Sequence, residues 1–286
     1  MAKALPQAIQ FSRRSSARLE SADKYVETGD YRKAEAFLKK TLRSLASRKT
    51  SPTPDHLQIW NQLGMVYKYL GKYSVAEHYY RASLRHAPRC FQGLDRDCFV
   101  ANLYHNLGGL EHSRRHFRRG EKYTRRALRL RVRSAEPASL GAASDMCALA
   151  ALLDGQGKFA ESKPLYRKAL RIYRREFGAN HPEIAVVMNN LGALFQAQSH
   201  PRVAKRCYRA ALIMRRRVLG KSHPDVGVTL NNLAILYRDL GEKRQASACF
   251  QGALRILETS LGRAHPSTRA VRNNYHNFMR PRFSAR

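Results

Sequence analysis

Acidic side chains are scarce in this sequence: 21 Asp and Glu stand against 53 Lys and Arg, a formal net charge of +32. Self-repulsion of that size opposes compactness, and its field draws in anionic partners over long range. Long apolar runs are also missing. No stretch of roughly eighteen apolar residues, the length a helical membrane span needs, occurs anywhere. The opening segment MAKALPQAIQFSRRSS lacks the apolar core of about 7–15 residues found in secretory signals. A cytoplasmic location is therefore expected, with organelle targeting by the acid-free, Arg- and Ser-bearing N-terminus as the alternative. Cysteines are few and odd in number (Cys90, Cys98, Cys147, Cys207, Cys249) and form no CxxC pair. That argues against a disulfide framework and a zinc site and fits a reducing compartment. One Trp, 11 Pro and 17 Gly argue against collagen-like and low-complexity chains.

What the sequence does hold is a period. Leu42, Leu84, Leu128, Leu170, Leu212 and Leu254 follow one another at steps of 42, 44, 42, 42 and 42 residues. Gly178, Gly220 and Gly262 keep the step, as do His181-Pro182, His223-Pro224 and His265-Pro266, and Asn189-Asn190, Asn231-Asn232 and Asn273-Asn274. Self-similarity at a period of about 20–50 residues marks a repeat architecture. Such a chain can exceed the size of one compact domain, because each unit buries its apolar face only against its neighbours.

Within one period the pattern reads as two helices. Val226, Leu230, Leu233, Ala234 and Tyr237 recur at three- and four-residue steps and form one apolar stripe. Gly241 permits a tight turn. Ala246, Phe250, Ala253, Leu254 and Leu257 then face inward from a second helix. Ala234 and Ala246 are small because the two helices cross closely there. Pro224 suits a first helical turn, and Gly262 suits a helix end.

The segments NNLAILYRDLGEKRQASACFQGALRI (231–256), NNLGALFQAQSHPRVAKRCYRAALIM (189–214) and NQLGMVYKYLGKYSVAEHYYRASL (61–84) resemble the tetratricopeptide-repeat (TPR) family, in the 42-residue variety of the kinesin light chains and similar bacterial proteins. The resemblance implies an all-α fold: a right-handed α-solenoid of six helix-turn-helix hairpins with a C-terminal capping helix. Repeats are expected near 16–46, 57–88, 98–133, 140–177, 182–219 and 224–261, with the cap at 267–279. A basic, partly disordered segment over 1–15 and a frayed tail over 281–286 complete the chain. The first repeat is faint. The third has two extra residues and Gly120 at the usual Ala, and the fifth has Pro201 at the usual Tyr.

In such a stack the first helices line the concave surface. The resemblance implies a non-catalytic scaffold or adaptor that grips a partner peptide there. Gln62, Asn106, Asn190, Asn232 and Asn274 match the family's groove position, and Ala148 interrupts the series. An amide offers donors and acceptors together, which suits a peptide backbone. Neighbouring helix residues differ by about 100° around the axis, so one Asn of each pair is equally suited to joining repeats. Met65, Gly109, Ala151, Ala193 and Ile235 occupy the next turn, and no paired Lys and Arg stands there to clamp a terminal carboxylate.

The basic charge falls on second helices. Arg115, Arg118, Arg119, Lys122, Arg125, Arg126, Arg129 and Arg133 lie within an arc of about 120°. Arg202, Lys205, Arg206, Arg209 and Arg216 repeat the pattern, and 201–221 contains no acid. An outer face is ordinarily a solvated mixture of both signs. A single-signed, Arg-rich one is the alternative site, open to nucleic acid, an acidic protein or an anionic membrane surface.

Catalysis finds no motif. Gly220-Lys221-Ser222 echoes a phosphate loop, but Arg215 stands where that loop needs Gly. His181, His223 and His265 recur once per repeat, about 10 Å apart, too far for shared coordination at about 2 Å. They read as helix caps. No cofactor, metal or small-molecule substrate is expected.

Overall fold

The structure, a computed structural model, describes residues 13–46, 51–133 and 139–280, with the backbone alone for 13–19 and 46. Most of the expected basic N-terminal segment (residues 1–12) and the whole tail 281–286 lie outside the described residues. The described residues fold into α1 (Arg13–Glu27), α2 (Tyr31–Ala46), α3 (Pro54–Tyr69), α4 (Tyr73–Cys90), α5 (Gly93–Ser113), α6 (Phe117–Arg133), α7 (Leu140–Asp154), α8 (Phe159–Phe177), α9 (Pro182–Ala197), α10 (Pro201–Val218), α11 (Pro224–Asp239), α12 (Lys243–Leu261) and α13 (Pro266–Met279), with no strand among them. They divide into two compact units, Met1–Gln156 with α1–α7 and Gly157–Arg286 with α8–α13.

In the second unit the sequence sets the starts of α9, α11 and α13 by the same device. His181, His223 and His265 sit in extended backbone at the N-caps of α9, α11 and α13, each followed by Pro at the first helical position. Each imidazole Nδ1 accepts from the backbone N–H two residues on, Glu183 at 3.3 Å, Asp225 at 3.1 Å and Ser267 at 3.1 Å. One of the orphan N–H groups of the first turn is thereby satisfied, and proline contributes none. Inside the hairpins the chain turns through a left-handed residue: Gly29, Gly71, Gly157 and Gly241 adopt positive φ, and Arg115 (φ 62°) and Ser199 (φ 60°) take the same place in the third and fifth repeats.

The hairpins close on apolar stripes. Between α11 and α12, Val226, Leu230, Ala234, Phe250, Ala253 and Leu257 form one cluster, and Val271 of α13 completes it with Tyr275 and Phe278 packed alongside. Full burial of a Leu or Phe side chain stabilises by about 1.5–3 kcal/mol each. A second cluster joins α10 (Ala204, Tyr208) to α11 (Leu233, Leu236, Tyr237) and α12 (Ala246). The single helix α13 covers the end of the stack with one face, Thr268 and Val271 being buried while Arg269, Asn273 and His276 are exposed.

The closest crossings are built from residues with little or no side chain. A Cβ placed on Gly192 of α9 would lie 2.6 Å from the Tyr208 ring of α10, and one on Gly64 of α3 would lie 2.5 Å from the Tyr80 ring of α4. Gly120 in the third repeat has its own reason. A Cβ there would lie 3.1 Å from the Gly108 carbonyl and 3.3 Å from Glu111, so α5 and α6 approach through a pair of glycines.

Within each unit the first helices also touch one another: α1 with α3, α3 with α5, α5 with α7, and α9 with α11, α11 with α13. The backbones of the second helices α2, α4 and α6, or α10 and α12, do not come within 8 Å of one another. First helices crowded together and second helices spread apart curve each unit so that its first helices line the inner side.

Candidate peptide groove and basic faces

The groove amides proposed from sequence lie half-buried on this inner side, and most of them are bonded. Asn106 Nδ2 donates to Asn61 Oδ1 at 2.8 Å, Asn232 Nδ2 to Asn189 Oδ1 at 3.1 Å, and Asn274 Nδ2 to Asn231 Oδ1 at 3.1 Å. The second amide of one repeat thus grips the first amide of the repeat before it. Gln62 does the equivalent with an acid, its Nε2 donating to Asp23 Oδ1 at 2.9 Å. Burial, with repulsion from Glu27 and Glu20, pushes the Asp23 carboxyl up to about 6. Asn190 differs: among the described residues its side chain makes one hydrogen bond, a marginal 3.5 Å acceptance from its neighbour Asn189. The residue one period before Asn189 is Cys147, which carries no amide.

This ladder does not exhaust the amides. A side-chain amide has two N–H donors and a carbonyl with two lone pairs. Each cross-repeat bond uses one N–H of the donor, leaving its second N–H and its Oδ1. Beside these groups the floor of the inner face is mild. Met65, Gly109, Ala151 and Ile235 are half-buried, and Ala193 is exposed.

On α6 the basic residues separate into two sets. Arg119 bonds to Glu77 at 3.1 Å and lies 3.6 Å from Glu111, and Arg125 pairs with Glu121 at 2.8 Å. Arg118, Lys122, Arg126, Arg129 and Arg133 are exposed and form no ion pair with a described carboxylate. Arg126 lies over the Tyr104 ring at 5.8 Å, and Arg115, in the turn before α6, lies over Phe117 at 5.8 Å. On α10, Lys205 pairs with Glu242 at 2.9 Å, while Arg202, Arg206, Arg209, Arg216 and Arg217 are exposed with no such partner.

Comparison with known families decides the class. The tetratricopeptide-repeat model matches residues 99–174, 149–215 and 202–259, more than half the chain, and a second tetratricopeptide-repeat model matches 57–90. The chain is a tetratricopeptide-repeat protein. As a class such repeats are interaction scaffolds. Among solved structures this TPR chain is similar to BtubC (BKLC) from P. vanneervenii, with 23% identity, 96% of this chain and 98% of that one covered, and a TM-score of 0.55. It is similar to a Rap protein complexed with Competence and Sporulation Factor (10% identity, 94% and 88% covered, TM-score 0.63). It is also similar to NprR in complex with its cognate peptide NprX (14% identity, 96% and 76% covered, TM-score 0.65). These likenesses bear on the fold. No curated protein matches the chain.

The TPR frame also holds buried ionic joints that the sequence reading did not identify. Asp145 of α7 is fully buried, with Arg131 Nε at 2.6 Å on one oxygen and His105 Nδ1 at 2.8 Å on the other. Glu111 is fully buried and takes contacts from Arg114, His116 and Arg119. Glu77 collects Arg81, Arg114 and Arg119. Burial tends to raise the Glu77 carboxyl, but hydrogen bonds from Arg114 and Arg81 outweigh it and hold the group below the usual carboxylate range. Arg215 is 5% exposed, donating to the Asp225 carbonyl at 2.9 Å and Thr229 Oγ1 at 2.7 Å. The available signal was an acid at an apolar stripe position, as with Asp145 between Ala143 and Met146. Among the described residues no cluster of three or more His, Cys, Asp or Glu is placed to hold a metal ion, and no helix is long and apolar enough to cross a membrane.

Proposed function

We propose that this protein is a non-catalytic scaffold whose first helices hold an extended segment of a partner protein. The observation that carries the reading is the half-used amide ladder. Asn232 and Asn274 join repeats with one N–H and keep a carbonyl and a second N–H on the inner side, and Asn190 joins none. A row of such groups meets the alternating donors and acceptors of an extended backbone without requiring a particular side chain. Solved TPR structures of similar fold carry a peptide, NprX, and the Competence and Sporulation Factor, which supports a peptide as occupant here. A cytoplasmic site of action is part of the same reading.

The test is affinity capture from the native cell at low and physiological salt, with and without nuclease, comparing the natural chain with Asn190→Ala and with Asn190→Ala combined with Asn232→Ala. Loss of two peptide-backbone hydrogen bonds weakens capture by about tenfold or more. Asn190→Ala leaves the melting temperature unchanged, because its amide joins no repeats. Capture that survives both substitutions refutes the groove, and capture abolished by nuclease refutes a peptide partner.

A further inference from the structure

The outer face of α10 carries a feature that neither packing nor solvation explains. None of its 18 residues is acidic. With Arg202 set at zero and about 100° per residue, Arg206, Arg209, Arg216 and Arg217 fall within an arc of about 100°. All five arginines are exposed and unpaired with any described carboxylate. At the centre of that arc, about 20° from Arg202, stands Ile213, 69% exposed and the most exposed large apolar side chain among the described residues. The opposite side of the helix is fully committed to the core through Ala204, Cys207, Tyr208 and Ala211.

We infer that this face is a second docking surface, for an acidic amphipathic segment of a protein partner. The five guanidinium groups suit several carboxylates, each of which can accept two parallel N–H bonds. Ile213 requires something else: an aliphatic or aromatic side chain that would cover it, ringed by charge. An acidic helix or strand with apolar residues on one face supplies both. Nucleic acid supplies only the first. Binding of single strands draws on exposed aromatic rings for base stacking, and the sole aromatic of α10, Tyr208, is 2% exposed. A lone exposed isoleucine is common on protein surfaces. Placement at the centre of an unpaired arginine row is what gives this one meaning. α10 is a second helix, so the surface is separate from the amide ladder and does not depend on it.

Two short fluorescent peptides test the inference by anisotropy: one of glutamate and leucine, amphipathic as a helix, and one with each leucine replaced by glutamine. Oligouridylate serves as the nucleic-acid probe. The Glu/Leu peptide binds, and its affinity falls as salt rises. Ile213→Ser weakens it about tenfold, Arg209→Ala with Arg216→Ala weakens it at least as much, and Asn190→Ala with Asn232→Ala leaves it unchanged. The Glu/Gln peptide binds about tenfold more weakly than the Glu/Leu peptide and is indifferent to Ile213→Ser. Because every α10 position substituted is exposed, helicity stays that of the natural chain. Equal affinity of the natural chain for both peptides, tighter binding of oligouridylate, or no response to Ile213→Ser overturns the inference. Loss of binding only in the Asn variants assigns the peptide to the groove and overturns it equally.

Discussion

Replacing Gly192 by Ala sets two known effects against each other inside one helix crossing. In a helix interior, Ala is favoured over Gly by about 1 kcal/mol. Against that, the new methyl would lie 2.6 Å from both Cδ1 and Cε1 of Tyr208 and 3.0 Å from Cγ, so the ring must move by about an ångström to reach ordinary contact. It has little freedom to do so. Tyr208 is 2% exposed, packed with Leu233, Leu236, Tyr237 and Ala246, and its hydroxyl donates to Gln196 Oε1 at 3.1 Å. Overpacking of this kind costs about 1–3 kcal/mol, so Gly192→Ala is expected to be a net destabilisation of up to about 2 kcal/mol. The next repeat shows the arrangement that relieves it. There Ala234 sits one period after Gly192 and Phe250 one period after Tyr208, with no hydroxyl to tether the ring. Tyr208→Phe alone loses the bond to Gln196, about 1 kcal/mol. Combined with Gly192→Ala it costs less than the sum of the two, a coupling of about 0.5–1 kcal/mol. Urea melts followed by circular dichroism on the four chains of the cycle measure it. A Gly192→Ala chain more stable than the natural one, or strict additivity in the cycle, refutes the claim that this glycine exists to admit the ring.

Two further outcomes follow from groups the helices bury. Asp23→Asn keeps an acceptor for Gln62 while removing a carboxylate whose folded value, about 6, exceeds its ordinary 3.8. The folded chain holds that proton more tightly than the unfolded one, so this group's contribution to stability is fully present below about 4 and falls as pH rises through about 6. The melting temperature of Asp23→Asn at neutral pH should exceed that of the natural chain, with the advantage vanishing below about pH 4; equal melting at pH 7 refutes the shift. Asp145→Ala removes the fully buried carboxylate shared by Arg131 and His105 and so breaks a largely buried ion pair from one side, which costs about 3–5 kcal/mol. Thermal melting by circular dichroism is the check, and a loss under about 1 kcal/mol shows that water replaces the carboxylate freely.

The sequence made the helices legible because their signals are local. His-Pro pairs, left-handed turn glycines and apolar stripes lie within a few residues of the structure they specify, and each appears at its expected place. The caps at His181, His223 and His265 are the clearest case. What was not legible depends on groups brought together from far along the chain. Nothing near Asn232 says that its partner is Asn189, because the two meet only after α9 and α11 are stacked. The same holds for charge. Arg119 and Arg118 are adjacent on α6, yet only stacking shows that Glu77 and Glu111 claim the first and leave the second. Arg215 opens the run Arg215-Arg216-Arg217, and nothing in that run marks it out from its exposed neighbours; its burial comes from the approach of α11.

The repeated His-Pro start has a consequence for how the chain reaches this structure. A helix whose first residue is set by its own cap needs no neighbour to tell it where to begin, so α9, α11 and α13 can each nucleate in the correct register before any stacking occurs. Contacts then form mainly between elements adjacent in sequence, the condition under which folding is fast. An error in one repeat should therefore stay within it and its immediate neighbours. Defective hairpins would fray locally instead of pulling distant helices into the wrong frame.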